Sequence, residues 1–453
     1  MNRRQLLQGL SGLFFADCLL PHLSFAQAAG PKRKFVFAYF EGGWDLLLGL
    51  DPRDPSKTNT QAHLITPGYD QLGAYAARGI RKVGNLSFGP AVSPSFLQVA
   101  SECSVINGII MDTAAHEVGR RYFITGRFPR GLDAVGSSTG AEILAQVGEG
   151  SQIPHLSAGV ESFATGVPSF ASALNVNSLQ DILTALSPIV SADPMLKAAL
   201  EAYQDSGPGC EGVRSDRDGL TRKLGDSVTR SRDYVKSQLY KVFDLGRTDA
   251  EMQALFNLYD LSAAQGDLGA PEVLAFIAAQ AIKKSVSQCV SVRVGTDLDT
   301  HANWAQDQAP RQERGWKALA SLLADLKSTP GSAGSAPGKT MLDETTVMVF
   351  SEFGRTPLFN NIRGRDHFLG NSALIAGAGI KRGLTVGKSA DVGMMPSLTE
   401  LATGQGLDSP TEAQKASAAF AVLTPRHVLA TVLKSAGLNT DYLRAEAITA
   451  LLP

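Results

Sequence analysis

The chain of 453 residues is long enough for one large domain or for two or three ordinary ones. Hydrophobic residues make up 44% and charged residues 19%, the make-up of a globular protein with ample material for a core. A net charge of −1, with no lysine-rich run interleaved with aromatics, excludes nucleic acid as a partner.

The first segment, MNRRQLLQGLSGLFFADCLLPHLSFAQAAG, opens on Arg3-Arg4, runs through a moderately apolar stretch and ends in Ala26-Gln27-Ala28. A charged start, an apolar middle and a small-residue cleavage site predict a signal peptide over 1–28. The paired arginines followed by Gln5, Leu6 and Leu7 resemble a twin-arginine signal. The implied partner is the twin-arginine export machinery, and the implied location is periplasmic or secreted. Asp17, Pro21 and His22 break the apolar run short of the roughly 18–20 residues a membrane span needs, so no stable membrane anchor is expected. Cys103, Cys210 and Cys289 would survive cleavage. An odd, scattered set makes neither a disulfide framework nor a metal clip; it leaves room for one disulfide and favours buried thiols.

KFVFAYF (Lys34–Phe40) is a short unbroken apolar run and predicts a buried strand. CSVINGII, QCVSVRVG, TTVMVFSEFG and ALIAGAG have the same character. Unbroken rather than alternating runs point to a sheet covered on both faces, as parallel sheets are. Helical segments fall between them at Gly140–Val147, Pro271–Lys284, Arg311–Leu326 and Arg426–Ala436. Pro271 suits a first helical position, where its missing N–H is no loss. The alternation predicts an α/β domain over 29–453, layered, with a mostly parallel sheet and helices on both faces. A charged, strand-poor stretch at about 190–265 reads as a helical insertion, either a cap on the domain or a solvated helical pair.

Four stretches concentrate metal-type ligands, each just after a predicted strand or at a helix start, where ligands bind in open α/β sheets. In EGGWD, two glycines let the backbone turn sharply and bring Asp45 near an ion. DLDTHANW supplies Asp299 and His301, an oxygen and nitrogen pair that suits zinc, manganese or iron better than calcium. In VFSEFGRT, Glu352 closely follows an apolar strand, where a buried carboxylate must be paired or metal-bound. NNIRGRDHF, from Asn360, adds Asp366-His367, and Arg355, Arg363 and Arg365 bring positive charge for an anionic substrate or for pairing with these acids. Asn360 joins Arg355 as a candidate substrate contact.

Together GGWD, AAHEVGRRYFITG, DTHANW, SEFGRTP, GRDH and TPRHVLATVLKSAGL, in this order over most of the mature chain, resemble the alkaline phosphatase and sulfatase superfamily. They are closer still to the exported bacterial family catalogued as domain-of-unknown-function 1501. In the superfamily a serine, threonine or formylglycine stands nine residues before the Thr-Gly that ends the nucleophile helix. Counting back from Thr125-Gly126, that position is His116. The resemblance makes Arg120 the arginine that sulfatases place four residues after the nucleophile. It makes Glu352 the ligand of an SDHG-like motif whose histidine is replaced by Phe353, His367 the late histidine ligand, and Glu41 or Asp45 the first-loop ligand. It implies a divalent metal ion held by Asp45, His116, Asp299, His301, Glu352 and His367, and a small anionic ester as substrate. His116 then has two alternative roles, as a nucleophile forming a phosphohistidine or as a ligand, with an ion-activated water attacking instead. The implied activity is hydrolysis of a phosphate or sulfate ester. The alternative is a non-catalytic exported binding protein that keeps the fold.

Overall fold

A computed structural model describes residues 33–58, 60–187 and 237–453, with four isolated positions between 195 and 229. The predicted signal peptide, Cys210 and most of the predicted insertion lie outside the described residues.

The centre is an eight-stranded sheet. Its strands are β1 (Lys34–Phe40), β2 (Cys103–Ile110), β3 (His155–Ala158), β4 (Leu174–Val176), β5 (Cys289–Gly295), β6 (Thr345–Ser351), β7 (Gly370–Gly377) and β8 (Thr385–Val386). Their spatial order is β8-β2-β7-β6-β1-β5-β3-β4. Only β7 runs antiparallel to its neighbours, so the sheet is mixed but mostly parallel, as the apolar runs predict. β1 pairs with β6 in unbroken register from Lys34↔Thr345 to Phe40↔Ser351, while its pairing with β5 shifts between Tyr39 and Phe40. That irregularity lies at the carboxyl edge, beside the candidate site.

Side chains alternate along β1, and both faces are buried. Val36, Ala38 and Phe40 enter one core; Phe35, Phe37 and Tyr39 enter the other. The helices that cover these faces are α1 (His116–Thr125), α2 (Thr139–Val147), α3 (Ala250–Tyr259), α4 (Pro271–Lys283), α5 (Trp304–Ser328) and α6 (Pro425–Ser435). α3, α4 and α5 supply the first core, α1, α2 and α6 the second. In the first, Phe40, Trp44 and Phe96 surround Trp316 with ring centroids 4.8–5.9 Å apart. Truncating Trp316 to alanine removes this contact at a cost of about 3–5 kcal/mol.

α5 begins seven positions before its predicted start. Its N-cap, Asn303, has a left-handed backbone, and Pro310 lies inside the helix, where it supplies no N–H and interrupts the sequence pattern. In the described end of the predicted insertion, Phe243, Met252, Leu255 and Tyr259 are buried in the first core. The Tyr259 hydroxyl donates to Asp325 of α5 at 3.0 Å. Cys103 and Cys289 are buried free thiols. No helix among the described residues is long and apolar enough to cross a membrane.

Candidate metal centre

Several segments meet at the carboxyl edge of the sheet. β6 ends at Ser351, and Glu352 follows it, fully buried. In α1, Gly119 lies against that strand end; a Cβ added there would stand 2.4 Å from the Glu352 carbonyl oxygen. Only glycine lets the helix come so close. The approach brings His116, the first residue of α1, to Glu352, with Nδ1 2.8 Å from Oε1. After β1 the chain turns through Gly42 at φ +106°, where an added Cβ would stand 2.7 Å from the backbone nitrogens of Leu298 and Asp299. The loop after β1 thus seats the loop after β5, which carries Asp299 and His301. His367 comes from a short antiparallel pair with Arg355.

Asp299 is the centre of the cluster. Its Oδ1 lies 3.0 Å from His301 Nε2, 3.1 Å from His367 Nε2 and 2.5 Å from Arg355 Nη2. Its Oδ2 lies 3.4 Å from His116 Nε2. His301 and His367 face each other through Nε2 at 3.0 Å. Each imidazole is held from behind by an oxygen: His116 by Glu352, His301 Nδ1 by Asp366 Oδ1 at 2.7 Å, and His367 Nδ1 by the Ala114 carbonyl at 2.6 Å. Carboxylate and carbonyl oxygens only accept, so the tautomers assigned from these partners put the proton on every Nδ1. Each Nε2 then turns a lone pair toward Asp299. Lone pairs and a carboxylate this close repel one another unless a cation lies among them.

The donor chemistry fits a divalent ion. His116, Asp299 and His367 each offer a ligand atom, all within 4.8 Å of one another. Imidazole and carboxylate together suit zinc, manganese or iron. Histidines that bind metals ordinarily give their other N–H to a carboxylate or carbonyl, as all three do. The charges agree. Burial opposes the Asp299 charge, but the hydrogen bond and charge of Arg355, helped by His367 and His116, bring its pKa down to about 2. Burial lowers the His367 pKa against the pull of Ala114 and Asp299, favouring the neutral ring a ligand needs. For His116, burial is outweighed by the hydrogen bond to Glu352 and by the Glu352 and Asp299 charges, and its pKa rises.

Several sequence-based assignments need correction. Asp45 is not brought to this cluster. It is 1% exposed, and its Oδ1 accepts the Leu47 and Leu48 N–H groups at 2.9 and 3.2 Å. Its Oδ2 accepts Trp304 Nε1–H at 2.6 Å and pairs with Arg365 Nε at 3.0 Å. The alternative, Glu41, pairs with Arg293 at 3.0 Å. Glu352 gives both oxygens to protein donors: Oε1 to the Gly42 N–H at 2.8 Å as well as to His116, and Oε2 to the Ser351 hydroxyl at 2.9 Å. It sits behind a histidine rather than among the converging Nε2 atoms. Arg355 is fully buried and spends its guanidinium on Asp299 and on the carbonyls of Gly42, Gly43 and Arg365, leaving it no face for substrate. Asn360 braces its own loop, donating to the His301 carbonyl at 2.8 Å and to Asp366 at 3.0 Å and accepting from Ile362 and Gly364. Arg120 pairs with Glu161 at 3.1 Å and lines a neighbouring cleft. Phe353 is buried against His116 and His367, with ring centroids 4.8 and 4.4 Å away.

Asp366 was visible in the sequence beside His367, but its part in holding His301 was not. The Ala114 carbonyl and Glu161 gave no sequence signal at all, since backbone oxygens and lone carboxylates carry no motif.

No curated protein matches the chain in sequence. Among solved structures, a Vibrio parahaemolyticus protein of the alkaline phosphatase superfamily is 10% identical with a TM-score of 0.35; the match covers 80% of this chain and 64% of that one. The chain therefore spans less than two thirds of that protein's length. The structure of Ps i-CgsB is 9% identical with a TM-score of 0.39, over 92% of this chain and 75% of that one. Overlaps of this size leave the chemistry to the residues themselves. The family model described as "Protein of unknown function (DUF1501)" matches residues 32–403, and the chain belongs to that family.

Proposed function

We propose that the chain is an exported, metal-dependent hydrolase of a small phosphate or sulfate ester, the chemistry of the superfamily its motifs resemble. The observation that carries this reading is the convergence of three imidazole Nε2 atoms on Asp299, each ring anchored from behind by an oxygen. His116, Asp299 and His367 hold the ion, with His301 beside them. When bound, a divalent ion offsets the negative charge that develops on the ester oxygens.

The chain's own residues orient this set. Glu352 fixes the His116 ring, Asp366 fixes His301, and Arg355 holds Asp299 ionised. His116 stands where the superfamily carries its nucleophile, yet its Nε2 faces Asp299 and its Nδ1 is committed to Glu352. We therefore read it as a ligand, with water rather than a side chain as the attacking group. Thr113, the nearest hydroxyl in the sequence, accepts the Ala115 N–H at 3.1 Å and shapes the turn before α1. Delivery by the twin-arginine route to the periplasm or beyond belongs to the same proposal.

One observation favours a second reading, a non-catalytic binding protein. Phe353 fills the position of a superfamily histidine ligand, and the guanidinium of Arg355, the arginine bonded to Asp299, is consumed by Asp299 and backbone carbonyls. Hydrolysis of 4-nitrophenyl phosphate and 4-nitrophenyl sulfate by the exported chain, before and after chelation, separates the two. Turnover abolished by chelator and by Asp299→Ala supports the hydrolase. Absence of turnover by metal-replete protein on either ester supports the binding protein.

A further inference from the structure

β6 is apolar from Val347 to Phe350 and ends in Ser351, which is fully buried beside Glu352. The neighbouring strand β7 carries Asn371, also fully buried, where its pairing with β2 shifts register between Asn371 and Ala373. Such irregularities re-aim side chains and gather beside functional sites. A buried hydroxyl and a buried amide are costly in a core unless each has its partners.

Both have them, and the chain of partners ends on one carboxylate. The Asn371 oxygen accepts Trp44 Nε1–H at 2.7 Å and the Ser372 N–H at 2.9 Å, and its amide nitrogen donates to the Ser351 carbonyl at 2.8 Å. Trp44 is held by its ring contacts with Phe40 and Trp316, centred 5.3 and 5.9 Å away. Its backbone N–H donates to the Ser351 hydroxyl at 3.2 Å. An N–H only donates and a carboxylate only accepts, so the hydroxyl, assigned from these partners, donates to Glu352 Oε2, 2.9 Å away. Glu352 Oε1 takes the other two donors, the Gly42 N–H and His116 Nδ1–H. Among the described residues Glu352 pairs with no lysine or arginine; its ionic neighbour is His116. Hydrogen bonds alone therefore set the angle of this carboxylate, and a fully satisfied buried network is rigid.

We infer that Ser351 is a positioning residue of the candidate metal centre. Backed by Trp44 and Asn371, it locks Glu352 in the orientation that keeps the proton on His116 Nδ1 and turns the Nε2 lone pair toward Asp299. Without the hydroxyl, Oε2 is buried and unpaired, and the carboxylate turns away or takes up a proton. Either change frees the His116 ring. The inference rests on the metal reading for the ion, but the state of the ring can be read without one.

The test uses the full exported chain, stripped of metal, with Ser351→Ala, Ser351→Cys and Ile143→Val. Cobalt(II) affinity is read from its absorption bands. Ser351→Ala should weaken it by about 3–30-fold, less than the roughly 10–100-fold lost with a direct partner of a ligand. Ser351→Cys, close in shape and a weaker donor, should fall between alanine and wild type, and carries the test if alanine does not fold. Ile143→Val, buried in the second core, controls for general loosening and should bind cobalt like the wild type. Nitrogen NMR of metal-free, histidine-labelled protein in alkaline buffer reads the ring, its His116 signal being the one absent from His116→Ala. The wild type should show the Nδ1–H tautomer and the Ser351 variants a mixture. Ser351 variants that bind cobalt like the wild type, an equal loss in Ile143→Val, a wild-type ring protonated on Nε2, or a His116 signal that Ser351 does not move would each overturn the inference. Wild-type protein that takes up no cobalt would refute the metal reading, and the tautomer spectra would then decide whether Ser351 orients His116.

Discussion

Asp45→Asn distinguishes a residue that holds the fold from one that holds an ion. The substitution keeps the shape of the side chain and the acceptor facing the Leu47 and Leu48 amides. It turns an NH₂ group, or a neutral oxygen, toward Trp304 Nε1–H and Arg365 Nε. Arg365 is fully buried, and burial already lowers its pKa against the support of Asp45. The 3.0 Å contact is an ion pair off the hydrogen-bond axis, since Nε lacks an aligned acceptor. Removing one partner of a buried pair costs about 3–5 kcal/mol. Arg365 keeps the carbonyls of Thr356, Thr66 and Pro67 and the rings of Trp304 and Phe359, centred 4.8 and 4.3 Å away, so the low end, about 3 kcal/mol, applies here. A typical domain has about 5–15 kcal/mol of stability, and the variant should still fold. Urea denaturation reads the loss, and elemental analysis of the folded fraction should show metal content like that of the wild type. A variant of normal stability that has lost its metal would refute this reasoning and restore Asp45 as a ligand.

Gly119→Ala should detach α1 from the end of β6. Helix propensity favours alanine by about 1 kcal/mol, but a Cβ 2.4 Å from a backbone carbonyl forces a shift, so we expect net destabilisation of about 1–2 kcal/mol and weaker metal binding; a more stable variant with unchanged metal content would count against the docking. His155, fully buried on β3, has its pKa lowered by burial to about 4. The unfolded chain, with a pKa near 6.5, takes up that proton first, so the stabilisation is complete above about pH 6.5 and is lost as pH falls toward 4. His155→Gln should flatten denaturation midpoints across that window, and an unchanged slope would remove His155 as the cause. Replacing Arg3 and Arg4 by lysines should keep the precursor in the cytoplasm, read by fractionation, whereas normal export would point to the general secretory route.

The strands were legible because a parallel strand buried on both faces must be apolar at every position, as KFVFAYF is. The first turns of α5 were not, because a left-handed Asn303 and an internal Pro310 hide a helix that tertiary packing enforces. In the site, His116, Asp299, His301 and His367 stood out because ligand-type residues followed strands or opened a helix. Asp45 looked the same in sequence but is claimed by Arg365, a partner remote in the chain that no local pattern reveals. Arg355 was readable as charge, while the carbonyls of Gly42, Gly43 and Arg365 that consume it belong to backbone geometry. Tyr39 read correctly as a buried strand residue, but its approach to Arg120 emerges only when β1 is packed against α1.

The central claim is that three imidazoles and Asp299 surround a metal ion. Elemental analysis of the chain exported and folded in its own compartment, compared with Asp299→Ala and His116→Ala, tests it most directly. Near-stoichiometric zinc, manganese or iron in the wild type and a sharp loss in both variants is the predicted result. Wild-type protein without metal, or variants that retain it in full, would contradict the account.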